Sequence, residues 1–117
     1  MRSKQKDLDH PILEKPWEYS IVGVDFRRTL DNSAESFIDL VLERDSVIRR
    51  LRFFRPVDIR LDEGFPASPG LCILDVSTHG LEGIRVRVED FEASGGGLRF
   101  WARDVVDLDE YEKTVVP

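Results

Sequence analysis

The chain has 117 residues, 41% hydrophobic and 34% charged, with seven Phe and two Trp. That balance excludes a disordered chain and fits a single domain that buries its own core. The formal net charge of −6 opposes binding to nucleic-acid phosphates and suits a basic protein partner, although such a charge also serves solubility alone.

Residues 1–16 read as a flexible N-terminal tail, polar and punctuated by Pro11 and Pro16, with no apolar run of the kind that makes a secretory signal. A single β domain is expected over residues 17–117. No stretch approaches the roughly 20 apolar residues that cross a bilayer. The lone cysteine, Cys72, has no partner for an internal disulfide, so a reducing cytoplasm is the expected compartment.

From Trp17 onward the pattern is that of β-strands. Val22, Val24 and Phe26 alternate with Gly23 and Asp25, and turn residues follow in "TLDNSAE". In "SFIDLVLER", Ile38, Leu40 and Leu42 share one face and Phe37 and Val41 the other. A helix capped by Ser33 is the alternative for this stretch, but β-branched content and alternation favour a strand. After the polar break "RDS", Val47, Leu51 and Phe53 fall on one face, and Arg50 and Arg52 on the other. Pro56 interrupts that strand, and "VDIRL" restarts with Val57, Ile59 and Leu61 expected inward.

The loop "DEGFPASPG" separates these elements from "LCILDVS", whose nearly continuous apolar run predicts a strand buried on both faces, with Cys72 as an inert core thiol. "IRVRVED" alternates with Ile84, Val86 and Val88 inward. The end of the chain, "VVDLDEYEK", is acidic and suits a final helical turn. The sum is an all-β fold: an antiparallel β-sandwich or strongly curved sheet of seven to eight short strands.

"EASGGGLRFWARD" holds three consecutive glycines. A phosphate-cradling loop needs a helix after it, to supply amides and a positive dipole end. Here an alternating, strand-like segment follows, without G-K-[ST] or G-x-G-x-x-G, so the glycines are expected to turn a hairpin between residues 84–91 and 98–104. A three-residue loop, Ser94 to Gly96, would set Val88 opposite Ala102 and Asp90 opposite Phe100. Val88, Leu98 and Phe100 then face the core. Arg87, Phe91, Arg99, Trp101 and Arg103 fall on the outer face, an aromatic–arginine patch of a type enriched in binding hot spots.

Motifs for chemistry are missing. His79 and Cys72 stand in no catalytic arrangement: no G-x-S-x-G is present, and one Cys with two His gives no zinc spacing. Asp62 and Glu63 in the long loop, and the acids near the C-terminus, lack the fixed spacing of an EF-hand. No cofactor, no metal and no catalytic residue is therefore expected. The arginine cluster "RRLRFFRPVDIR" is expected to pair with Asp or Glu across strands rather than to hold nucleic acid.

Taken together, the strand pattern from Trp17 to Leu108, closing in "LEGIRVRVEDFEASGGGLRFWARDV", resembles small uncharacterised bacterial β-sandwich proteins, some similar to immunity proteins of polymorphic toxin systems. The resemblance carries no catalytic residues. It implies a cytoplasmic, non-enzymatic protein-binding domain, with toxin neutralisation as its role. The acidic run Asp104, Asp107, Asp109, Glu110 and Glu112 is the favoured contact for a basic partner. The alternative is a small-ligand or carbohydrate-binding module that uses the Arg/Trp face.

Overall fold

The computed structural model describes residues 8–28, 36–61, 71–90 and 97–115. Among the described residues nine strands and one α-helix follow one another: β1 (Leu8–Asp9), β2 (Ser20–Arg27), β3 (Phe37–Arg44), β4 (Val47–Phe54), β5 (Val57–Leu61), β6 (Leu71–Asp75), β7 (Val86–Asp90), β8 (Leu98–Ala102), β9 (Asp104–Asp107) and α1 (Leu108–Val115). They form two antiparallel sheets, ordered β1-β6-β7-β8-β5 and β2-β3-β4-β9. The fold is an all-β sandwich, as the spacing of strands and turns predicts.

The β3–β4 hairpin forms the centre of the four-stranded sheet. Its turn is Asp45–Ser46, both at positive φ (52° and 70°), as a two-residue loop between twisted strands requires. Register sets Ile38 opposite Phe53 and Leu40 opposite Leu51, and all four are buried. From the five-stranded sheet, Ile73, Val86, Val88 and Phe100 complete the core. The rings of Phe53 and Phe100 meet edge to face, with centroids 5.1 Å apart and planes at 85°, and join the two layers.

One two-stranded ribbon passes from sheet to sheet. β4 and β9 pair in one sheet, and their continuations β5 and β8 pair in the other. The corner lies at Arg55–Pro56 on one strand and Arg103 on the other, where the Arg103 amide donates to the Phe54 carbonyl at 2.8 Å. Arg55 takes φ 53° to make the bend.

The structure corrects several expectations. Residues 8–16 are not a tail: β1 pairs with β6, the His10 amide donates to the Ile73 carbonyl at 2.8 Å, and Leu13 and Pro16 are buried. Apolar Ile12 and Leu13 amid the polar run account for the docking, since they pack on the core. Val57, Ile59 and Leu61 are not buried in the core. β5 is an edge strand with a bulge between Val57 and Arg60 and with Asp58 at φ 54°, so its alternation breaks and every residue in it is exposed.

β2 is also an edge. Val24 and Phe26 sit opposite the buried Leu40 and Ile38, yet both remain exposed. Val22 occupies a bulge between Ile21 and Gly23. At Gly23 a Cβ would lie 3.3 Å from the Val41 side chain, which favours glycine there.

In the last hairpin Val86 pairs with Ala102 and Val88 with Phe100, two residues away from the expected register. A slip of two keeps every side chain on its face, so Val88, Leu98 and Phe100 are buried as expected. The loop Ser94–Gly96 lies outside the described residues. β8 begins at Leu98, directly after Gly97, so a strand stands where a phosphate loop would need a helix.

Candidate functional site

The outer face of β7, β8 and β5 gathers arginines around one tryptophan. Arg87 lies opposite Trp101, and Arg60 opposite Arg99. The Arg87 guanidinium sits 4.7 Å from the centre of the Trp101 ring and 3.1 Å from the Glu89 carboxylate. Arg60 bonds Asp58 at 3.3 Å, and both are well exposed. Arg103 is exposed at the sheet corner. The hollow between these side chains is about 80 Å³, room for a few waters and too small for a sugar ring, since one water occupies about 30 Å³ of liquid. Phe91, expected on this face, lies outside the described residues.

Arg60 is the member of this face that sequence patterning assigned elsewhere, to the basic run with Arg50 and Arg52. The β5 bulge turns it to the Trp101 side. Only Pro56 hinted at that irregularity, because bulges carry no fixed residue signature.

The acidic run has a different setting. Asp107 caps α1: its Oδ1 accepts the amides of Asp109 at 3.0 Å and Glu110 at 3.2 Å, as an N-cap does. Its Oδ2 accepts the Arg49 guanidinium at 2.6 Å and 3.1 Å. Burial pushes this carboxyl's pKa up, but the bonds from Arg49 and the helix amides outweigh burial and hold it below the ordinary aspartate value. Asp109 and Glu112 both accept from Arg50, each at 3.1 Å. Glu110 lies 3.5 Å from Lys113, and the Asp104 carboxylate accepts the Val105 amide at 2.9 Å. The helix rests on the outer face of β4, where Tyr111 meets Phe54 edge-on at 6.0 Å.

Next to it, Arg52 makes a two-pronged pair with Asp39, directly opposite on β3, at 2.8 Å and 2.9 Å, and stacks on Phe37 at 3.8 Å. Cross-strand pairing is thus the role of Arg52, as expected.

Other candidates are scattered. Cys72 sits opposite Glu89 and is half-buried, because strand parity turns it to the outer face; it is not the core thiol expected. His79 is exposed in the 3-10 turn Ser77–His79. His10 accepts the Ile12 amide on Nδ1 at 3.0 Å. Burial lowers its pKa, against the fields of Asp75 and Asp104 that raise it. Hydrogen bonds from Ser77 lower the Asp75 pKa. Asp62 and Glu63 lie outside the described residues. Among the described residues no group of three or more His, Cys, Asp or Glu is arranged to hold a metal ion, and no helix is long and apolar enough to cross a membrane.

Comparison with protein-family models, with curated proteins and with solved structures finds no match for this chain.

Proposed function

We propose that this chain is a non-enzymatic protein-binding domain, and that its contact face is the arginine–tryptophan side of β7, β8 and β5. The observation that carries the reading is the pairing of Arg87 over Trp101 within a shallow, arginine-rich surface. An aromatic braced by guanidiniums on a rigid sheet is pre-organised for a hot spot, and a flat surface suits a protein better than a small ligand. Arg87 already covers the Trp101 ring that a sugar would stack on, which counts against the carbohydrate reading.

The local charge inverts the partner's expected sign. The acidic run is held by Arg49, Arg50 and Lys113, whereas among the described residues of the tryptophan face the arginines Arg60, Arg87, Arg99 and Arg103 outnumber the carboxylates Asp58 and Glu89. The partner surface is therefore acidic, or mixed with acidic anchors. Neutralisation of a toxin is one use of such a face and is the use that the sequence resemblance suggests.

Matched affinity columns carrying wild type and Trp101→Ala test this reading on an extract of the native cell. A protein retained by wild type should lose about 2 kcal/mol of affinity with the variant, as a hot spot does. Its association with Arg99→Glu/Arg103→Glu should be slower and less sensitive to salt. Equal binding by all three proteins, together with loss of binding when Asp109, Glu110 and Glu112 are neutralised, would move the contact to the acidic helix.

A further inference from the structure

A second hollow lies where β5 comes near β2. A cleft of about 330 Å³ lies between the edge strands β2 and β5. Its walls are the rings of Phe26 and Pro56 with Val57 and Ile59. The first of these shares the core-facing side of its sheet with Ile38 yet is 48% exposed, so the apolar wall continues the core outward to solvent. Volume and lining are those of a small-ligand site: mostly apolar, with a few polar groups to fix orientation.

The polar groups in this cleft are specific. Arg28 and Arg55 line it, and no ion pair links either to a described residue. Asp58 is the carboxylate present, and Arg60 bonds it at 3.3 Å, so the cleft carries a positive balance. Ser36 lines it as well, only 7% exposed, and its hydroxyl has no hydrogen-bond partner. Buried side-chain hydroxyls nearly always have one, and an exception asks for a reason. The Ser36 carbonyl is meanwhile fixed by the Arg55 amide at 2.8 Å, so Ser36 cannot move away from the cleft without opening the corner. Arg55 and Asp58 both hold left-handed backbone, φ 53° and 54°. Strain of this kind gathers at ligand clamps.

We infer that this cleft binds a small organic monocarboxylate with an apolar body. Phe26, Pro56, Val57 and Ile59 take the body, Arg28 and Arg55 take the carboxylate, and the Ser36 hydroxyl donates to it. A carboxylate satisfies the orphan hydroxyl and the two guanidiniums together, whereas a neutral apolar ligand leaves the guanidiniums unanswered. The inference does not rest on the protein-binding reading, because Phe26, Arg28, Ser36 and Arg55, which carry it, are not among the residues around Trp101.

The test is titration of isotope-labelled protein with phenylacetate and hexanoate, against phenylacetamide and hexanamide as neutral counterparts of the same shape. Saturable amide shifts are expected at Phe26, Ser36, Arg55 and Ile59 with the acids, at millimolar concentrations, and roughly tenfold weaker binding with the amides. Ser36→Ala removes one oxygen and should fold as wild type does. It and Arg28→Gln should each weaken the acids severalfold, and Arg28→Gln should weaken the acids much more than the amides. The inference is overturned if acids and amides bind alike, if no shift saturates, or if the shifts centre on Arg99 and Trp101 instead of the cleft.

Discussion

The two sheets cover their arginines differently. On the outer face of β4, Arg50 and Arg52 are matched by Asp109, Glu112 and Asp39, and α1 covers the strand. On the outer face of β8, Arg99 faces Arg60 across the ladder, Arg60 and Arg87 hold carboxylates of their own strands, Asp58 and Glu89, and among the described residues no helix lies over them. Both faces come from similar alternating Arg sequences. The difference teaches that a charged stripe becomes scaffold or contact surface according to what the chain later lays upon it. Asp107 is the hinge of that outcome, because one carboxylate both starts α1 and holds Arg49.

The largest effect should follow from breaking the covered face at that point. Asp107→Ala removes the helix cap and the carboxylate that Arg49 bonds, for a loss of about 2–3 kcal/mol in urea unfolding. Asp107→Asn keeps an N-cap acceptor and should lose less than half as much. A loss under about 0.5 kcal/mol for the alanine variant, the level of an ordinary surface change, would mean that the helix is not anchored as described.

A second, smaller effect should come from His10, at the edge of the five-stranded sheet where residues 8–19 dock. Its folded pKa is depressed, with burial as the main cause. Between the ordinary histidine pKa and that lower value the unfolded chain binds more protons, so stability rises with pH through this window. The contribution is complete above the ordinary histidine value and is lost as pH falls toward the folded one. Asp75 and Asp107 also have depressed values, and their contributions disappear only in the lower carboxylate range. Melting points followed from neutral to mildly acid pH should therefore fall for wild type and stay flatter for His10→Asn, which keeps an acceptor for Ile12 but does not titrate.

The smallest effect belongs to the open face. Arg103→Ala should change stability by no more than about 0.5 kcal/mol, because the side chain is exposed. Chemical denaturation of this variant beside Asp107→Ala gives the comparison its sharpest form. Equal losses would erase the distinction between the two faces.

The sequence by itself determined what is local. Strand periodicity placed Ile38, Leu40, Leu42, Leu51 and Phe53 in the core, since successive side chains on a pleated strand must alternate. It also separated the glycine run from a phosphate loop, because the residues after Gly97 alternate like a strand. The aromatic–arginine face came from the same parity, and a register error of two residues kept Arg87, Arg99 and Trp101 on one side. Only the tertiary structure decided which apolar stripes would be covered. Val24 and Phe26 alternate as regularly as Leu40 and Leu42, but an edge position leaves them open. It likewise decided the fate of the charges. Arg49 and Asp107 stand 58 residues apart in the chain, and no local pattern links them. Alternation is a property of a strand's own backbone, whereas burial and ion pairing depend on which distant strand or helix the fold brings alongside.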